Sequence, residues 1–193
     1  MQRIFVIAGP TNAGKDTIMH QLLPDTSLKL VKVVTSASRP PRPGEVDGVD
    51  YHFYSRDEFK KKIENNEFFE WALVHNDYKG IQKSSIYNDI PKDKDILIQV
   101  DVQGYMNLKR TLDFSNYKLI GIFILPPSME ELKRRMTLRG TEKDPKDIEI
   151  RLADAKVEID DRYLFDYIVV NDNLETAVAE VKNIIHENQL SEF

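Results

Sequence analysis

The residues with the plainest chemical use stand near the start of the chain, where Gly9-Pro10-Thr11-Asn12-Ala13-Gly14-Lys15-Asp16-Thr17 follows an apolar run, Ile4-Phe5-Val6-Ile7-Ala8. A strand that enters a glycine-bracketed turn and leaves as a helix points several unpaired backbone N–H groups at one spot, at the positive end of the helix. Such a turn cradles phosphate oxygens, and Lys15 adds a mobile positive charge to it. The spacing is G-x-x-x-x-G-K, with one irregularity: the place after the lysine, where a hydroxyl ordinarily reaches Mg²⁺, holds Asp16, and the hydroxyl comes next, at Thr17. The blander alternative is a glycine-rich turn with an incidental lysine. The strand before the loop and the helical pattern after it argue against that.

Phosphoryl transfer asks little covalent chemistry of a protein, because the barrier falls when donor and acceptor are aligned and the charge on the moving group is neutralised. Arginines are therefore the next residues of interest. Arg134, Arg135, Arg139 and Arg151 follow later in the chain, with Arg135 and Arg139 one helical turn apart on one face. Alone they would be a solvated basic face; after a phosphate loop they read as a clamp on the transferring phosphate. A second cationic pair, Arg39 and Arg42, lies in Thr35-Ser36-Ala37-Ser38-Arg39-Pro40-Pro41-Arg42-Pro43-Gly44-Glu45, where prolines stiffen the backbone. Planar guanidinium forks on a stiff loop suit a second phosphate. Asp101, at the end of an apolar run and beside the loop, is placed to hold Mg²⁺ through water or to orient the acceptor, the plainer role being a helix cap.

The elements that must position these groups follow from periodicity. Apolar runs of strand length recur at Arg3–Ala8, Leu28–Val34, Ile96–Val102, Leu119–Leu125 and Tyr167–Val170, separated mostly by helical patterns. Continuous apolar strands alternating with helices predict an α/β fold, a central parallel sheet with helices on both faces. Ser55-Arg56-Asp57-Glu58 and Ser128-Met129-Glu130-Glu131 have capping-box spacing, and Asp144-Pro145 reads as a cap with a first-turn proline. The last helix stripes Leu174, Ala177, Val178, Val181, Ile184 and Ile185 along one face, a core-packing pattern. Residues 35 to about 95 form an insert rich in charge, proline and aromatics, and Arg139–Asp147 is a polar segment between two helices. On a nucleotide-binding sheet such inserts bind the second substrate or close over the first.

Composition narrows the classes. With 193 residues and 41% hydrophobic content the chain can build one domain with a real core. It contains no cysteine, which excludes disulfides, thiolate metal sites and a cysteine nucleophile and makes the cytoplasm the expected compartment. The four histidines, His20, His52, His75 and His186, lack ligand spacing. No run is long enough to cross a membrane, and with Met1 almost directly before the first strand no signal peptide is expected. A net charge of −5 argues against nucleic-acid or membrane surfaces as partners.

Taken together, these pieces resemble the guanylate kinase family, P-loop kinases that phosphorylate GMP with ATP. The resemblance covers essentially the whole chain. Its most specific stretch is Ser38-Arg39-Pro40-Pro41-Arg42-Pro43-Gly44-Glu45-Val46-Asp47-Gly48-Val49-Asp50-Tyr51-His52-Phe53, and further matches are Asn66-Glu67-Phe68-Phe69-Glu70-Trp71-Ala72, Asp101-Val102-Gln103-Gly104, Arg139-Gly140-Thr141-Glu142 and Val169-Val170-Asn171-Asp172. The resemblance implies one domain with a core of residues 1–34, 95–134 and 160–193, an acceptor-binding insert at 35–94 and a lid at 135–159. It implies ATP with Mg²⁺ as donor and GMP, with dGMP, as acceptor, in a monomer or homodimer. ATP would lie on Gly9 through Thr17 and near Asn171, with Asp16 and Thr17 toward the metal. Thr35, Arg39, Arg42, Tyr51, Glu70, Lys79 and Asp101 would bind the acceptor, Glu70 taking N1 and N2 of guanine. Lys15, Arg39, Arg135, Arg139 and Arg151 would carry the transfer.

The chain departs from the family pattern at four positions. Lys79-Gly80-Ile81 stands where the family has Tyr-Gly-Ser, so a charge replaces a phenol at the acceptor phosphate, and Ile81 cannot give the hydrogen bond a serine gives guanine. Tyr78 is one place early for the family tyrosine, unless the loop shifts. Gln99 replaces an aspartate, and Asp16 replaces a hydroxyl, as in the ribosyl bisphosphate phosphokinases of related fold. These departures keep open a kinase of the same fold with another phosphorylated acceptor. A non-catalytic binding module, the third reading, is disfavoured by Lys15 and the arginines.

Overall fold

The computed structural model describes residues 1–42, 44–74, 77–139 and 145–191. At its centre runs β1 (Gln2–Ala8), flanked by β7 (Asp95–Gln99) and β8 (Tyr117–Leu125), with β2 (Leu30–Lys32) and β9 (Tyr167–Val170) at the edges. All neighbours are parallel, in the order β2-β7-β1-β8-β9. Each expected apolar run supplies a strand, but two are shorter than their runs. Leu28 ends a 3-10 turn capped by Asp25, so the second strand begins at Leu30. The run that starts at Ile96 leaves the sheet after Gln99, because Asp101 already caps the next helix.

Side chains alternate across the sheet, as the pleat requires. Ile4, Val6 and Ala8 join one core with Tyr105 and Leu108 of α4 (Val102–Thr111), while Phe5 and Ile7 join another with Ile18 of α1 (Lys15–Leu22) and Val181 of α7 (Leu174–Leu190). Helices on both faces explain why the strands read as unbroken apolar runs. Gly121 lets Tyr105 lie flat on the sheet, since a Cβ there would come within 2.4 Å of the ring. The Asp166 carboxylate then accepts from both the Tyr105 hydroxyl and the Gly121 N–H.

The insert folds into a sheet of its own, ordered β4-β3-β6-β5, from β3 (Thr35–Ala37), β4 (Tyr51–Phe53), β5 (Phe68–Val74) and β6 (Asp77–Gln82). Helix α2 (Arg56–Glu64) starts in a complete capping box between Ser55 and Glu58 and stacks Phe59 on Phe68 and Tyr78. Helix α3 (Lys83–Tyr87) returns the chain to the main sheet. Pairing of Glu70 with Ile81 and of Ala72 with Lys79 sets these four side chains on one face, and Trp71 meets Tyr78 on the other. Tyr78 therefore points away from the cleft and cannot replace the family tyrosine, because a one-residue slip would invert every side chain of the strand.

Helices α5 (Met129–Arg139) and α6 (Pro145–Asp160) pack on each other through Leu132, Met136 and Ala155. Only half of the expected capping box forms at Ser128. Its hydroxyl accepts from the Glu131 N–H, but the Glu131 carboxylate turns to Arg134 and Arg135. Pro145 opens α6 as expected; Asp144, with Pro43, His75 and Gly140 to Glu142, lies outside the described residues.

Candidate active site

The phosphate loop leaves β1 through three residues with positive φ: Gly9 at 132°, Asn12 at 64° and Gly14 at 98°. Glycine is needed at both ends, since a Cβ would lie 2.3 Å from the Ile124 carbonyl oxygen at Gly9 and 2.2 Å from Asn171 Nδ2 at Gly14. Asn171 is the buttress of the loop. Its Nδ2 donates to the Ala13 carbonyl at 2.7 Å and its own carbonyl accepts from Arg135 Nη2 at 2.9 Å. The resemblance places this residue near adenine, yet its amide nitrogen is engaged with the loop.

Lys15 Nζ donates to the carbonyls of Gly9 at 2.6 Å and Pro10 at 2.9 Å. Burial pulls its ammonium below the usual lysine range, against the opposing pull of the Glu158, Asp16 and Asp101 carboxylates. On one side Lys15 opens on a cavity of about 540 Å³ lined also by Asn12, Asp16, Thr17, Arg135, Arg139 and Asn171. No three acidic or histidine side chains among the described residues form a metal cage of their own. One hydroxyl and one carboxylate at the mouth of a phosphate cradle fit Mg²⁺, which keeps most of its shell as water and phosphate oxygen.

On its other side Lys15 lines a cleft of about 330 Å³ between the insert and the strand ends, with Thr11, Thr35, Tyr51, Glu70, Lys79, Ile81, Gln99 and Asp101. Thr11, read as an ATP contact, faces this second cleft instead. Burial, reinforced by the Asp101 carboxylate, pushes Glu70 up to about 7. Among the described residues it has no hydrogen-bond partner, so it stands ready for one. Asp101 caps α4, its Oδ1 accepting from the Gly104 N–H at 2.7 Å, and it also lines the cleft. Ile81 is only 1% exposed and belongs to the core. Burial, and then the Arg39 and Arg42 guanidinium groups, lower the Lys79 ammonium.

Arg39 and Arg42 do not line the cleft in this structure. Arg39 forms a two-pronged pair with Glu45, at 2.6 and 2.8 Å, and lies over the rings of Tyr51 and Phe53. Glu45 also accepts from the Arg42 N–H at 2.7 Å. Nor does Arg151 join Arg135 and Arg139; it faces an adjoining cavity with Thr11, Asp154 and Glu158. Glu45 and Glu158 are the residues the sequence reading missed. Glu158 was open to discovery, two helical turns from Arg151 on one face of α6; it lines the acceptor cleft, and burial pushes it up to about 7 against the pull of Lys15.

A parallel α/β sheet whose phosphate-loop lysine opens on two adjoining cavities, one edged by arginines and the other by a half-buried carboxylate, defines a P-loop kinase. The guanylate kinase family model matches residues 1–188. The guanylate kinase of Shewanella oneidensis is 38% identical over 97% of this chain and 88% of its own, and that of Thermotoga maritima 41% identical over 97% and 87%. The crystal structure of the guanylate kinase from Anaplasma phagocytophilum superposes with a TM-score of 0.75 at 29% identity, covering 98% of this chain and 87% of that one. The chain belongs to the guanylate kinase family, ATP-dependent enzymes that phosphorylate GMP. The other acceptors left open by Lys79, Ile81 and Asp16 find no favour among these relatives.

Proposed function

We propose that ATP occupies the cavity edged by Arg135 and Arg139, that GMP or dGMP occupies the cleft holding Glu70, and that the γ-phosphoryl group passes between them beside Lys15. The carrying observation is that Lys15 lines both spaces. Glu70, ionised, accepts from guanine N1–H and N2–H, an adjacent donor pair that adenine lacks. Thr35, Tyr51 and Asp101 complete the walls of the cleft. At its outer end Lys79 faces the acceptor phosphate, with Arg39 and Arg42 close enough to add their charge.

Lys15 exchanges two neutral carbonyls for phosphate oxygens, a stronger, charge-assisted bond. Arg135 and Arg139 offset the charge that spreads over the moving group, and α5 and α6 act as the lid that excludes water. Thr17 Oγ1 and the Asp16 carboxylate would hold Mg²⁺, which when bound neutralises the charge on the donor phosphates. No general base is required, because the acceptor phosphate is already ionised at neutral pH. A cytoplasmic reaction accords with the supply of both substrates there. No helix among the described residues is long and apolar enough to cross a membrane.

The test is ADP release from ATP and Mg²⁺ with GMP, dGMP, AMP, CMP and UMP as acceptors, beside a Lys15→Ala control. Turnover with the guanine nucleotides that vanishes in the control is expected. Lysine-dependent turnover with another acceptor and none with GMP would overturn the assignment.

A further inference from the structure

Asn12 carries two costs at once. Its φ of 64° lies in the left-handed region, which glycine adopts without strain and asparagine at a smaller cost than other side chains. Its Nδ2 is buried without any hydrogen-bond partner among the described residues. A lone buried donor in a loop of phosphate-binding geometry is the kind of local defect that persists when a ligand removes it. A glycine would meet the backbone requirement, so the side chain itself has a use.

Its other end shows what that use is. Asn12 Oδ1 accepts from Arg139 Nη1 at 2.9 Å, joining the phosphate loop to the last residue of α5 across 127 positions of chain. The orientation of the amide is settled by chemistry, because a guanidinium only donates and must face the oxygen. The contact leaves Arg139 on a neutral acceptor at the edge of the donor cavity, which both residues line. A phosphate oxygen is the stronger acceptor for the guanidinium.

We propose that the Asn12 side chain is a latch between the lid and the phosphate loop: Oδ1 holds Arg139 over the empty loop, and a donor phosphate releases it by taking both Arg139 and Nδ2. The proposal rests on the reading of this cavity as the donor site. It makes Asn12 a residue that touches the donor and positions Arg139, beyond the backbone contacts of the loop.

Asn12→Gly removes the latch and relaxes the backbone, so its melting temperature should equal or exceed that of the unsubstituted protein. Its KM for ATP should rise about tenfold, the loss of one hydrogen bond to a charged group, with KM for GMP within about twofold. Asn12→Asp turns the latch into an ion pair and sets an anion against the phosphates, and should weaken ATP more than the glycine variant does. In an Arg139→Ala background the effect of Asn12→Gly should differ by about threefold or more, since the latch it breaks is no longer there and coupled residues are not additive. Unchanged ATP parameters in Asn12→Gly, or an equal effect with and without Arg139, would overturn the latch. Binding of ADP alone, measured by calorimetry in both proteins, keeps the test independent of the acceptor: if GMP is not turned over, the assignment of the acceptor fails while a tenfold difference in ADP affinity still supports the latch, and equal affinities refute it.

Discussion

Replacing Glu70 by glutamine should make the protein more stable and a worse enzyme, and the gain in stability should depend on pH. The Glu70 carboxyl is held at about 7 instead of 4.5, first by burial and then by Asp101. Between those values the folded chain keeps a proton that the unfolded chain has released, so this group weakens the fold as pH rises, the reverse of a salt-bridged acid. At about 1.4 kcal/mol per pH unit, the gap between 4.5 and about 7 amounts to about 3 kcal/mol once both states are ionised. An uncharged glutamine of the same shape escapes that cost but buries an amide without a partner, which offsets about 1–2 kcal/mol. The net gain at pH 8.5 is about 1–2 kcal/mol, or about 3–6 °C in melting temperature for a chain of this size. Thermal melts across pH test the reasoning: the advantage of Glu70→Gln should shrink as pH falls and be gone near pH 5. A shift independent of pH, or a less stable variant at pH 8.5, would refute it. In the kinetic assay the same variant sets an amide against the guanine donors, and kcat/KM for GMP should fall by about 100-fold or more.

Three further expectations follow from the two cavities. Ile81→Ser restores a hydroxyl toward guanine and should lower KM for GMP by about fivefold, while the loss of a core side chain lowers stability by about 2–3 kcal/mol in urea unfolding; a higher KM would mean that the hydroxyl does not reach the base. Lys79→Gln should raise KM for GMP about tenfold in dilute salt and flatten its dependence on KCl, because a screened charge pair has been removed; an unaltered salt profile would place the acceptor phosphate elsewhere. Asp16→Ser should shift the Mg²⁺ concentration for half-maximal turnover by about threefold or more with KM for GMP unchanged, and an identical Mg²⁺ titration would separate Asp16 from the metal.

What was legible in the sequence was what is local. The phosphate loop reads directly because its strand, glycines, lysine and helix are contiguous, and so do the five strands of the main sheet, whose burial on both faces leaves unbroken apolar runs. The insert was harder: its four short strands mix polar and apolar residues in no single period, so it read only as an aromatic, charged stretch. Tertiary structure alone decided which side chains meet. The register of β5 against β6 turns Lys79 and Ile81 into the cleft and Tyr78 out of it, a choice of parity that composition does not carry. Asn171 reaches back 158 positions to brace Ala13, and Glu158 comes to face Lys15 from another helix. Arg39 turns to Glu45 and stacks on two rings instead of lining the cleft. Such meetings depend on the order in which strands cross within a sheet and on the packing of helices against it. The sequence by itself determined the chemistry available, a phosphate cradle with a lysine, arginines and acids. The fold determined which of those groups share a cavity, because proximity between distant residues arises from packing rather than from any pattern along the chain.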